Sequence, residues 1–145
     1  MPDLTVLFEQ LVRFQIELWN GVDARLRTEL GSTLSGLESM RVIDARGVCR
    51  VNDIAEDLVI TIGGASKIVD RLEAAGLCAR RSNPDDRRSS LIELTDVGRV
   101  SLAAANHTLT AELERRFDRL PSDTLSKLIE TLTTLRTAGA ELTTS

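Results

Sequence analysis

Apolar side chains in the first thirty residues recur at helical spacing. Leu4, Leu7, Phe8, Leu11, Phe14 and Leu18 share one face and Trp19 widens it, which predicts a long helix from about Asp3 to Leu30. Gly31 and Ser32 interrupt the pattern. Ser35-Gly36-Leu37-Glu38 has the form of a capping box and predicts a second helix through Met40, Val42 and Ile43 to Gly47. Val48 to Val51 is a short β-prone run. Asn52 can then cap a short helix from Asp53 to about Leu58, with Asp53 and Glu56 near its positive end.

After the β-branched break Val59-Ile60, Thr61 is placed to cap the next helix, whose apolar stripe is Ile62, Ala65, Ile68, Val69 and Leu72. Gly76 is expected to end it in a left-handed conformation, with Leu77 returning toward Leu72. Two short β-prone stretches, Leu77 to Arg81 and Leu91 to Leu94, flank a charged segment rich in turn residues, Ser82 to Ser90, and together predict a hairpin with a long polar tip. Thr95 caps a further helix carrying Val100, Leu102, Leu109, Leu113 and Phe117; the last three recur every four residues and mark its expected buried face. Pro121-Ser122-Asp123 starts a final helix in which Leu125, Leu128, Leu132 and Leu135 form a coiled-coil-like seam. The fold class is therefore mainly α with a small β-wing.

Charge sharpens this picture. The net charge is −4, yet residues 61–91 hold six basic side chains against four acidic ones, a basic island in an acidic body. Aromatic residues are only 3% of the chain and tyrosine is absent, which argues against a stacking platform for sugars or single strands. No apolar run reaches bilayer length, and Met1-Pro2-Asp3-Leu4 lacks the basic start of a signal peptide, so a cytoplasmic protein without membrane contact is expected. Cys49 and Cys78 form no metal or redox spacing and read as buried, inert thiols. His107 has no close His or Cys partner, so no metal or other cofactor is expected. Nucleophile, phosphate-loop and dinucleotide motifs are all missing, and no catalytic residue is assigned.

Helix, short strand, two helices, strand, polar tip and strand follow one another in the order of a winged helix-turn-helix. From Ser35 to Gly98 the chain resembles the MarR family of bacterial transcription regulators. Asn52-Asp53-Ile54-Ala55 stands where that family has the first helix of its DNA lobe. Residues Ser66 to Leu77 resemble its recognition helix and exit, and Asn83-Pro84-Asp85-Asp86-Arg87-Arg88 through Leu94-Thr95-Asp96-Val97-Gly98 resembles its wing and the entry to the next helix. The resemblance implies one domain over residues 1–145, a DNA-binding lobe at about 48–95, and dimerisation helices at about 3–30 and 96–140. It implies a homodimeric regulator of double-stranded DNA with a pseudo-palindromic operator. Repression relieved by a small aromatic, acidic or lipophilic effector follows from the same resemblance, in a pocket between the dimer helices and the DNA lobe. Trp19 reads either as a core tryptophan or as a lining residue of that pocket.

Individual residues fit these roles. Gly63, Lys67, Asp70 and Arg71 face away from the apolar side of their helix, and Ser66, Lys67 and Arg71 can donate hydrogen bonds to base acceptors or phosphates. Thr61 and the first-turn amides can meet a phosphate. Gly63-Gly64 departs from expectation, since each glycine costs about 0.8–1.0 kcal/mol relative to alanine in a helix; close backbone approach to DNA and a tolerant, frayed first turn both account for it. Arg87 and Arg88 at the hairpin tip can enter a narrow minor groove. The resemblance assigns Asp86 to orienting the Arg88 guanidinium. The rival reading is a helical protein-interaction module that does not bind DNA, which would need neither the basic island nor the wing.

Overall fold

The computed structural model describes residues 1–144. Its elements are α1 (Leu4–Leu30), α2 (Leu34–Arg46), α3 (Val51–Leu58), α4 (Ile62–Ala74), β1 (Cys78–Ser82), β2 (Ser90–Leu94), α5 (Asp96–Phe117) and α6 (Ser122–Thr143). The chain divides into two compact units, Met1–Glu112 and the segment from Leu113 onward.

Local signals set most boundaries. The Asp3 carboxylate accepts from the Thr5 N–H at 2.9 Å and starts α1, and Gly31, at φ 64°, ends it. Helix α2 starts two residues earlier than the Ser35 capping box implies. Its cap is Thr33, whose Oγ1 accepts from the Gly36 N–H at 3.0 Å, so Ser35 already lies inside the helix. Similarly, α3 starts before Asn52. Arg50 occupies the N-cap position, and Asp53 reaches back to accept its N–H at 2.8 Å. Of the β-prone run before it, only Cys49 pairs, as an antiparallel bridge to Ile92, because Val51 is taken into the helix.

The core of the first unit is built from Val22 and Leu26 of α1, Leu37, Met40 and Ile43 of α2, Ile54 of α3, Val69 of α4 and Ile92 of β2, each at most 2% exposed. β1 and β2 are antiparallel with Cys78 opposite Leu94 and Ser82 opposite Ser90, one residue beyond the expected strand on each side of the tip. Cys49 and Cys78 are buried, and burial pushes the Cys49 thiol up to about 11 and raises Cys78 as well, so neither is a ready nucleophile.

The burial on α5 differs from the expected face. Leu102, Ala105, Thr108 and Glu112 are buried, while Leu109, Leu113 and Phe117 are half-buried. Polar partners explain the exchange. Glu112 is paired with the Arg25 guanidinium at 3.0 Å, and the Thr108 hydroxyl donates to Glu29 at 3.3 Å. Trp19 is 41% exposed and Val100 71%, so neither belongs to the core of a single chain. Leu4, Leu7, Phe8 and Leu11 of α1 stay exposed, as do Leu128, Leu132 and Leu135 of α6, a helix with no buried residue.

Candidate nucleic-acid interface

Helix α4 is fixed at both ends by short-range bonds. Thr61 Oγ1 accepts from the Gly64 N–H at 3.0 Å, as the cap position predicts. At the other end Gly76, at φ 75°, lets the Leu77 N–H reach the Leu72 carbonyl at 2.9 Å. Ala65, Val69 and Leu72 bury the inner face. Ile62, expected with them, is 57% exposed, because the first turn projects past the core. The two glycines separate here. A side chain on Gly64 would crowd the Thr61 hydroxyl at 3.0 Å, whereas one on Gly63 would meet nothing within 4 Å.

Lys67 and Arg71 are exposed on the outer face, with Ser66 half-buried beside them. Arg80 and Arg81, counted in the same basic island, are already engaged. The Arg80 guanidinium holds Asp70 at 2.6 Å and Glu73 at 3.4 Å, while its backbone N–H donates to Glu73 at 3.1 Å. Partial burial works against the Arg80 charge, but the hydrogen bond it donates to Asp70, with the charges of Asp70 and Glu73, outweighs it and raises the arginine pKa. Arg81 lies 3.9 Å from Glu93. Among the described residues no such pair involves Lys67, Arg71, Arg87 or Arg88. Of the six cations of the basic island, those left for an outside partner are therefore two on α4 and two on the tip. Sequence reasoning missed Arg80 as a positioning residue, since its partners are set by how β1 docks on α4.

The tip carries more internal hydrogen bonds than its composition implies. Asn83, 8% exposed, accepts the Asp85 N–H at 3.0 Å and donates to Ser89 Oγ at 3.3 Å. Asp86 Oδ1 accepts the Arg88 backbone N–H at 3.0 Å, and the Asp86 carbonyl accepts the Ser89 N–H at 3.2 Å. The expected pairing of Asp86 with the Arg88 guanidinium is thus replaced by one with its backbone. The carboxylate shapes the turn and leaves the arginine head free. Arg88 lines a polar cleft of about 340 Å³ together with Arg50, Arg80 and Asp86.

The hairpin is anchored to α5 by one packed corner. Thr95 Oγ1 accepts the Gly98 N–H at 3.0 Å and donates to the Gly76 carbonyl at 2.6 Å, and the Thr95 N–H donates to the Leu77 carbonyl at 3.1 Å. Gly98 backs onto that Leu77 carbonyl so closely that a Cβ would overlap it. At the other side of the lobe, Arg46 closes α2 onto α3 with two bonds to Asp57, at 2.9 and 2.8 Å.

Comparison with known proteins places this geometry. The family model described as MarR family matches residues 33–90. The HTH-type transcriptional regulator YfiV of Bacillus subtilis (strain 168) is 24% identical over 110 residues, 76% of this chain and 69% of that protein. Two further regulators of that strain are matched over 58% and 60% of their own lengths. The transcriptional regulator BldR from Sulfolobus solfataricus superposes with a TM-score of 0.86 at 20% identity, covering 95% of this chain and 99% of that one. The transcriptional repressor CouR, solved bound to a 23-mer DNA duplex, superposes with a TM-score of 0.81 at 27% identity, over 94% of this chain and 99% of its own. Among the described residues, no helix is long and apolar enough to cross a membrane and no side-chain cluster fits a metal ion.

Proposed function

We propose that this chain is a member of the MarR family, whose model matches residues 33–90, and that it is a sequence-specific, double-stranded-DNA-binding transcription regulator that works as a homodimeric repressor. The observation that carries the reading is the distribution of unpaired cations. Lys67 and Arg71 on the outer face of α4, and Arg87 and Arg88 on the tip, have no carboxylate partner in the described chain, while neighbouring arginines do. Helix α4 would enter the major groove, where Ser66, Lys67 and Arg71 reach base edges or phosphates. Thr61 and the amides next to Gly63 and Gly64 would meet the backbone at the positive helix end. The tip would set Arg88 into the adjacent minor groove, oriented by the turn that Asp86 holds.

A two-fold dimer accounts for the exposed apolar faces of α1 and α6, which together are more than a monomer leaves to water. It puts two α4 helices on major-groove half-sites about one helical turn apart, hence a pseudo-palindromic operator. Leu128→Asp with Leu132→Asp should convert the dimer to a monomer in sedimentation. A wild-type protein that sediments as a monomer at micromolar concentration would refute this assembly. By the family resemblance, a small aromatic, acidic or lipophilic molecule releases the repressor. A regulator is not an enzyme, and no catalytic residue is proposed.

The direct experiment is selection of bound sequences from a random duplex pool with the purified dimer. Recovery of a two-fold symmetric site whose affinity falls steeply with salt supports the reading. Failure to retain any duplex rejects it.

A further inference from the structure

The charge pattern leaves one feature of the α4 entry unused. Ile62 is 57% exposed at the first helical position, and Val59 and Ile60, 81% and 39% exposed, extend the apolar surface across the α3–α4 turn. The three rim an open depression of about 510 Å³ whose polar side includes Asn52 and Thr61.

The rest of the first turn has little with which to read a base. Ala65 is fully buried, Gly63 and Gly64 have no side chain, and the Thr61 hydroxyl, which accepts from the Gly64 N–H, is assigned above to the phosphate backbone. Ile62 is therefore the one first-turn side chain free to touch the floor of a major groove. It stands one helical turn before Ser66 on the same flank of α4. The open space around Gly63 lets the backbone beside it come close to base edges. An isoleucine cannot accept or donate a hydrogen bond, so phosphates and polar base edges give it nothing. The thymine 5-methyl group is the apolar group that bases display in the major groove.

We propose that Ile62 is a specificity-determining residue, packing its side chain against a thymine 5-methyl group at one position of each half-site. This rests on the DNA-binding reading above and adds a base preference to it. Thr61 lines both this depression and the proposed interface, which is why DNA, and no protein partner, is its occupant.

The probe is the tightest duplex recovered from the random pool, resynthesised with uracil in place of each half-site thymine in turn, which removes only the methyl group. The full-length wild type should lose about fourfold in affinity per half-site at one thymine, the loss expected for a single buried methyl. Ile62→Ala should bind the thymine and uracil forms of that position equally, and Ile62→Val should keep most of the wild-type difference. A wild type indifferent to uracil at every position, or an Ile62→Ala protein as sensitive as wild type, overturns the proposal while leaving DNA binding intact. Failure to recover any duplex removes the underlying reading and this inference with it.

Discussion

Arg80 Nη1 of β1 lies 2.6 Å from Asp70 Oδ1 of α4, so the strand that begins the wing restrains the carboxylate that stands between Lys67 and Arg71 in sequence on that helix. Without that pair, Asp70 would stand beside Lys67 and Arg71 and repel phosphates. Arg80→Ala should therefore weaken operator binding several-fold, with a stability loss of at most about 1 kcal/mol, since the pair is partly exposed. Asp70→Asn should bind at least as tightly as wild type, and the Arg80→Ala, Asp70→Asn double variant should recover most of the lost affinity. Titration against one operator decides the matter. A double variant as weak as Arg80→Ala would mean that Arg80 itself contacts DNA.

Gly98 has a steric role. A methyl group there overlaps the Leu77 carbonyl, which must stay in place to accept the Thr95 N–H. Gly98→Ala should cost about 1–3 kcal/mol, the usual range for overpacking, and should lower the melting temperature. An unchanged melting curve would show that the α5 entry yields without cost.

Val59 ends α3 at φ 55° and ψ 49°, a left-handed conformation that costs an L-residue about 1–2 kcal/mol. Its side chain is 81% exposed and returns little by burial. Val59→Gly should stabilise the fold by about 1 kcal/mol or less after the extra unfolded-chain entropy of glycine is deducted. Thermal melting should register an increase of a few degrees, and a decrease would show that the valine side chain packs usefully in the native state.

How much of this was readable from the chain depends on the range over which each feature is determined. Helix α4 was legible from Thr61 to Gly76, because a cap and a glycine exit act within four residues. The caps of α2 and α3 were misassigned by two positions, since Thr33 takes the Gly36 N–H before Ser35 can start the helix, and Asp53 reaches back to the Arg50 N–H ahead of Asn52. Periodicity marked α5 as a helix and misjudged its buried face, for Glu112 is buried by an arginine 87 residues away in sequence. The free cations of the site were legible as a basic island, but the diversion of Arg80 depends on tertiary docking. The pairing of Asp86 with the Arg88 guanidinium came from the family resemblance alone, and the bond that forms instead, to the Arg88 N–H, follows from the turn geometry.

Acid should open the first unit in part through the carboxylates that join its helices. Hydrogen bonds from Arg46 hold the Asp57 carboxyl below its ordinary value of 3.8. Burial works against ionisation of Asp23, but the Leu34 N–H and the Arg27 guanidinium outweigh it and lower its pKa too. Both groups stabilise the fold fully above pH 3.8, and that contribution is lost as pH falls through their lower folded-state values. Asp57→Asn should be less stable than wild type at pH 7, and the gap should narrow below pH 3.8 in denaturant melts. A gap that does not change with pH would show that the Arg46–Asp57 pair adds nothing to the stability.

The central claim is that α4 and the wing read duplex DNA sequence with cations the chain leaves unpaired. It is tested most directly by measuring the affinity of the dimer for its selected operator and for a scrambled duplex of equal length across a salt series. Wild type should favour the operator by about a thousandfold or more, and both affinities should fall linearly on a log–log plot against salt. Arg71→Ala and Arg88→Ala should each weaken operator binding without changing the dimer. Equal affinity for the two duplexes, or an affinity indifferent both to salt and to loss of these arginines, would contradict the account.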